Sequence, residues 1–205
     1  MTIALRGAGR GSLGPRDALV VLDVQNDFLP GGALAVPRAD ALVPVLAAYV
    51  RRAIENGVHV FASRDWHPPH HASFREQGGP WPRHCVSGTS GAEIAPALRL
   101  PPDTIVISKG TDPECDAYSA FEGTELDAAL RALGVTRLLV GGLATDYCVL
   151  HTVRDARARG YHVMLLDDGT RGFDPVASAA ARQEMVSLGA VPVTLTGLRR
   201  TCAAL

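Results

Sequence analysis

The sequence predicts an α/β fold, a three-layer α/β/α sandwich around a mainly parallel, about six-stranded sheet. Three observations carry that prediction. From Ala18 onward, short apolar runs of strand length alternate with longer segments of helical period. The runs are continuously apolar rather than alternating, as strands covered on both faces require. A glycine stands after each helical segment, where a left-handed C-cap residue belongs.

The elements follow in order. Residues 1–16 are rich in Gly and Arg, lack periodicity and read as a flexible lead-in, which leaves 17–205 as one domain. Within the lead-in Gly9, Gly11 and Gly14 match the spacing G-x-G-x-x-G. They precede the first strand instead of joining a strand to a helix, so a dinucleotide site is rejected. Ala18–Asp23, Val58–Ser63, Thr104–Ser108, Arg137–Gly141, His162–Leu166 and Val191–Leu195 read as strands. Ala39–Asn56, Glu125–Leu133, Asp146–Arg159 and Val176–Leu188 read as helices, stopped by Gly57, Gly134, Gly160 and Gly189. Strands alternating with helices give parallel crossovers, with helices on both faces of the sheet. The stretch Arg64–Pro102 breaks the pattern. It is too long for an ordinary connection and crowded with Pro, His, Gly and Trp, which marks it as a functional loop.

Composition narrows the function. The 205 residues are 47% hydrophobic and 20% charged, enough to bury a sizeable core. Basic and acidic residues number 20 and 21, a net charge of −1. That balance lacks the footprint of a nucleic-acid or anionic-membrane binder and leaves a small molecule as the expected partner. No apolar run is long enough to span a membrane, and the N-terminal apolar stretch is too short for a signal peptide, so the chain reads as cytoplasmic. Oligomeric state is left open, a homo-oligomer included. Cys85, Cys115, Cys148 and Cys202 lie far apart without a C-x-x-C pair, which argues against a disulfide framework. Of the 20 basic residues only Lys109 is a lysine, an exception that invites a chemical explanation.

In open parallel sheets ligands bind outside the carboxyl ends of the strands. Three reactive residues fall there: Asp23 closing the first strand, Lys109 after the third, and Cys148 a few residues past the fourth. An isolated cysteine is more often a small buried hydrophobe. Here Thr145 or Asp146 is a plausible N-cap, which puts Cys148 in a first helical turn where the helix dipole favours a thiolate. A neighbouring carboxylate would accept the thiol proton, and Lys109 would hold that carboxylate ionised.

A second constellation lies in the long loop. His67, His70, His71 and His84, four of the seven histidines, fall there beside Asp65. Asp65 and His67 share a face of an extended segment. Imidazoles with one carboxylate suit Zn²⁺, Mn²⁺ or Fe²⁺ better than Ca²⁺ or Mg²⁺, although a polar His-rich surface loop would look the same. Cys85 ranks below Cys148 because it lacks the strand-to-helix position. Phe28, Trp66, Phe74, Trp81, Tyr118 and Phe121 lie in or beside these loops, a clustering that suits a pocket for a flat ring.

Taken in order, Leu22-Asp-Val-Gln-Asn-Asp-Phe28, Asp65-Trp-His67 with His71 and Ser73-Phe74, Trp81-Pro-Arg-His84-Cys-Val86, Ser108-Lys-Gly110, Tyr118-Ser-Ala-Phe121 and Gly141-Gly-Leu-Ala-Thr-Asp-Tyr-Cys148 resemble the nicotinamidases. These are a branch of the isochorismatase-like cysteine hydrolase superfamily, and the likeness runs from Ala18 to about Leu188. It implies Cys148 as nucleophile, Asp23 as general base and Lys109 as their electrostatic partner. It also implies one divalent metal, zinc foremost with manganese or iron as alternatives, on Asp65, His67, His71 and His84. The family pattern His-x-Ser-Phe selects His71 over His70. By the same resemblance Leu143–Ala144 is a cis peptide, the N–H groups of Ala144 and Cys148 form an oxyanion hole, and Phe28, Trp81 and Tyr118 line the ring pocket. Leu143 departs from the family, where a smaller or β-branched residue is common. The implied reaction is hydrolysis of nicotinamide to nicotinate and ammonia in NAD salvage, with pyrazinamide as a further substrate. Two rivals stand beside it: another amidase or ether hydrolase of the superfamily, and a non-catalytic domain with a closed metal site.

Overall fold

The computed structural model describes residues 13–198. Gly9, Gly11 and Cys202 lie outside them. Six strands form one sheet: β1 (Asp17–Leu22), β2 (His59–Asp65), β3 (Ile105–Lys109), β4 (Arg137–Leu143), β5 (His162–Arg171) and β6 (Val191–Val193). Their spatial order is β3-β2-β1-β4-β5-β6, and every pairing is parallel. The order reverses between β1 and β4, so a crevice opens outside the carboxyl ends of those two strands.

Residue alternation along β1 builds the three layers. Leu19 and Val21 face a core shared with α1 (Leu42–Glu55), which contributes Leu42, Leu46, Tyr49, Val50 and Ala53. Ala18, Val20 and Leu22 face the opposite core. There α2 (Leu126–Ala132), α3 (Leu150–Ala158) and α4 (Pro175–Ser187) bury Leu126 and Leu130, Val153 and Ala156, and Ala181 and Met185. Burial on both faces explains why the strands are continuously apolar. All four glycines expected to stop helices have positive φ.

Three expectations need correction. Leu13, assigned to the flexible lead-in, is buried in the core, and the Arg16 carbonyl accepts from the N–H groups of Thr136 and Arg137. An apolar side chain next to the first strand has a core to enter, so residues 13–16 pack. The helix expected from Asp146 begins at Leu150, and Cys148 lies in a π-helical turn, Thr145–Val149, before it. Neither Thr145 nor Asp146 caps the helix. The Thr145 hydroxyl pairs with Thr170 at 2.7 Å, and Asp146 accepts from the N–H groups of Phe173 and Asp174, so tertiary partners take both side chains from the local backbone. Finally, β5 runs five residues beyond Leu166, through a register irregularity opposite Val140 and Gly142.

The long loop is organised rather than free. Short 3₁₀ turns at 75–77, 90–92 and 96–98 punctuate it, and bridges join His67 to Val86 and Phe74 to Trp81.

Candidate active site

Four strand ends deliver the reactive groups. Asp23 follows β1, Asp65 ends β2, Lys109 ends β3 directly opposite Asp65, and Cys148 follows β4. Asp23 has a φ of 50°, in the left-handed region, a strained conformation for a residue with a side chain. Its Oδ1 accepts from Ser63 Oγ at 2.6 Å. Its Oδ2 is buried without an aligned hydrogen bond, 3.1 Å from Lys109 Nζ.

The single lysine is the hub. Its Nζ donates to Asp65 Oδ1 at 2.5 Å and to the Ala117 carbonyl at 3.0 Å, and lies 3.5 Å from Cys148 Sγ. Burial alone would lower its pKa, but Asp23 and Asp65 outweigh burial and hold the ammonium charged. Cys148 Sγ lies within 4.8 Å of a carboxylate oxygen of both Asp23 and Asp65. Burial pushes the thiol well above its ordinary value; Lys109 opposes this, while the two carboxylates add to it. Burial also raises Asp23 against the pull of Lys109, so a carboxylate of raised basicity stands beside the buried thiol.

The histidine loop makes a second cluster. Asp65, His67 and His84 each offer a ligand atom, all within 4.8 Å of one another. His67 Nδ1–H donates to the Gly110 carbonyl at 2.9 Å and His84 Nδ1–H to the Pro82 carbonyl at 2.7 Å, which leaves both Nε2 lone pairs for a metal. Burial keeps both imidazoles neutral, lowering His67 to about 4 against the pull of Asp65, as metal ligation requires. Asp65 is buried too, yet Lys109 and His67 hold it below the ordinary carboxylate range. A Cβ at Gly110, whose φ is +59°, would come within 2.5 Å of the His67 ring, so only glycine allows this close approach.

His71 stands differently. Its ring stacks on His67 with centroids 4.1 Å apart, its Nδ1 lies 2.7 Å from Ser73 Oγ, and its Nε2 lies 3.1 Å from the Cys115 carbonyl. It joins a group with His67 and Asp116, within the same 4.8 Å limit, rather than the group of Asp65 and His84. The donors fit a divalent ion: a carboxylate and two neutral imidazoles gathered at a cavity, with a third imidazole against them.

Between the clusters lies a partly open cavity. Asp65, His67 and His84 line one part, Ala144 and Cys148 another, and the expected Phe28, Trp81 and Tyr118 supply aromatic walls. Trp81 Nε1 donates to Tyr118 Oη at 3.0 Å, which fixes both rings. The Leu143–Ala144 peptide is cis. Trp66 packs under Arg64 instead, Phe74 is buried behind the histidines, and Phe121 belongs to the core. Cys85 is buried with its thiol pushed far up, which makes it inert.

Sequence reasoning gave no role to several residues. Tyr147 and Phe173 complete the cavity, with Trp81 edge-on to Tyr147 at 5.0 Å and stacked on Phe173 at 5.8 Å. Phe173 follows β5, but the strand read from the sequence ends at Leu166, too early for the strand-end rule to reach it. Gln25 is wholly buried and clamps the Asp65 backbone: its Oε1 accepts from Asp65 N at 2.8 Å, and its Nε2 donates to the carbonyls of Asp65 and Ala92. Gln25 stands in the run Leu22–Phe28, but nothing local to that run shows what its side chain holds.

The fold and site together define a doubly wound α/β protein with a buried Asp–Lys–Cys cluster beside a histidine–carboxylate cluster. Residues 17–196 match the Isochorismatase domain, and the chain belongs to that family. It is 41% identical to the nicotinamidase of Escherichia coli K12 over 91% of this chain and 99% of that one. Among solved structures it is similar to a pyrazinamidase of Pyrococcus horikoshii in complex with zinc, with a TM-score of 0.86 and 49% identity over 88% of this chain and 99% of the other. A protein of L. infantum in complex with nicotinate gives a TM-score of 0.82 and 35% identity, over 93% and 98% of the two chains.

Proposed function

We propose that the protein hydrolyses nicotinamide to nicotinate and ammonia through a thioester on Cys148. One observation carries the reading: a buried thiol with its own base and ammonium faces, across an aromatic cavity, a carboxylate–imidazole cluster of the kind that takes a divalent metal. The E. coli and P. horikoshii relatives, by their names, support the same chemistry.

Asp23 takes the thiol proton as Cys148 Sγ attacks the carboxamide carbon. The N–H groups of Ala144 and Cys148 stabilise the oxyanion, and Lys109 offsets the negative charge gathered around it. The C–N bond breaks as Asp23 passes its proton to the departing nitrogen, and ammonia leaves. Asp23 then takes a proton from water, the oxygen displaces sulfur, and the nicotinate acid and the thiol are restored. Phe28, Trp81 and Tyr118 hold the ring so that the carbonyl stays near sulfur, which removes part of the entropic barrier. A divalent ion, zinc before manganese or iron, would be held by Asp65, His67 and His84 with His71, and would supply a Lewis-acid contact orienting the pyridine nitrogen. Pyrazinamide, a ring of the same size with a nitrogen in the same place, fits as a second substrate. The reading puts the reaction in NAD salvage and the protein in the cytoplasm.

Ammonia release from nicotinamide by metal-loaded protein tests this. Cys148→Ala is expected to lower kcat by roughly 10⁴-fold or more while nicotinamide still binds. No release from the metal-loaded wild type would overturn the nicotinamide assignment, and retained turnover in the variant would overturn the thioester.

A further inference from the structure

A second, open cavity lies on the other side of Phe173, between Pro37–Arg38, the end of β5 and the start of α4. Arg38, Arg171 and Arg182 line it together with the hydroxyls of Thr145, Thr170 and Ser178. No Asp or Glu is among its lining residues, although acidic residues outnumber basic ones in the chain.

The three arginines differ in what they bind. Arg182 is engaged by the carboxylate and the carbonyl of Asp167. Arg38 and Arg171 have no carboxylate partner among the described residues. Arg171 Nε is buried and makes no hydrogen bond, and the same holds for Ser178 Oγ. A buried guanidinium donor without an acceptor is costly, and a bound anion would remove that cost.

Gly172 packs closely against Ser178 and the Asp146 carboxylate beside the cavity. A Cβ there would come within 2.1 Å of Ser178 Oγ and 2.4 Å of Asp146 Oδ1. Asp146 is turned to the loop, where it accepts from the N–H groups of Phe173 and Asp174, at 3.3 and 3.4 Å. The N-terminal turn of α4, a helix of 13 residues, lies on the same side, with its Ala177 N–H capped by the Asp174 carboxylate.

We infer that this cavity binds the phosphate group of a small molecule, held by Arg38 and Arg171 with Ser178 as a hydroxyl donor. Two oxygens of a carboxylate are satisfied by a single arginine fork. The donors here come from three separate elements, an arrangement that matches the several oxygens of a tetrahedral phosphate. The site is separate from the substrate cavity, so the inference does not depend on the nicotinamide reading.

Calorimetric titration of the metal-loaded protein with inorganic phosphate and, separately, with adenosine monophosphate tests it. The expected result is saturable binding of at least one probe, weakened about tenfold or more by Arg171→Gln and by Arg38→Gln, and weakened by added salt. Ammonia release should be unchanged in both variants, because neither side chain lines the substrate cavity. Tighter binding of the nucleotide would identify a phosphate ester as the ligand, and equal or tighter binding of inorganic phosphate would identify the free ion. Absence of saturable binding of either probe up to about 10 mM would overturn the inference. Binding that either variant retains in full would also overturn it, since the anion would then sit at the metal cluster or elsewhere.

Discussion

Asp23 combines a left-handed backbone, a carboxylate oxygen with no aligned hydrogen bond and a single ammonium 3.1 Å away. Burial raises its pKa above the ordinary 3.8, and in the proposed mechanism its ionised form accepts the thiol proton. The acid limb of kcat/KM is therefore expected above the usual carboxylate range, and a limb at or below pH 3.8 would remove Asp23 as the base. For stability the same shift means that the native state holds this proton more tightly than the unfolded chain. That contribution is complete below 3.8 and is lost as pH rises through the raised value. Gln25 works on the neighbouring carboxylate through the backbone alone. Gln25→Leu would leave the N–H of Asp65 and the carbonyls of Asp65 and Ala92 without this partner in a buried setting. A loss of roughly 2–4 kcal/mol in chemical denaturation is expected, with weaker metal binding, and an unchanged midpoint would contradict the clamp.

Strands β1 and β4 lead into Asp23 and Cys148, so their register fixes the distance between the two. Asp17 and Arg137 stand opposite each other at the start of that register and form a bidentate pair, both contacts 2.7 Å. Arg137→Ala would leave the largely buried Asp17 without this partner at the far end of the sheet from the chemistry. A loss of about 2 kcal/mol in stability with little change in kcat is expected, and a change confined to kcat would contradict this division. The π-helical turn after β4 shows why an element's start is hard to read from sequence. Thr145 and Asp146 have the chemistry of N-caps, but Thr170 and the β5–α4 loop offer better partners, and the regular helix waits until Leu150. At that turn burial raises the thiol against the pull of Lys109.

At the scale of the whole molecule, the histidine loop is anchored to the sheet through Asp65, which ends β2 and faces both Lys109 and His67. A metal bound there by the native state alone must stabilise the fold, by about 3 kcal/mol at concentrations a hundredfold above its dissociation constant. Chelation is expected to lower Tm by roughly 6–12 °C and to raise KM for nicotinamide, while an unchanged Tm would show that the cluster is not loaded. The sequence by itself determined the layer architecture, the six strands in order, the strand-end positions of Asp23, Lys109 and Cys148, and the Asp65–His67 pair. Each of these is a local signal, a periodicity or a residue type at a strand terminus. Only the tertiary structure decided that Lys109 joins the two clusters through Asp65, that Gln25 clamps that residue, that Phe173 closes the aromatic wall, and that His71 sits with Asp116 instead of Asp65. These relations connect residues tens of positions apart, and one-dimensional spacing carries no information about which side chains meet once separate strands lie side by side.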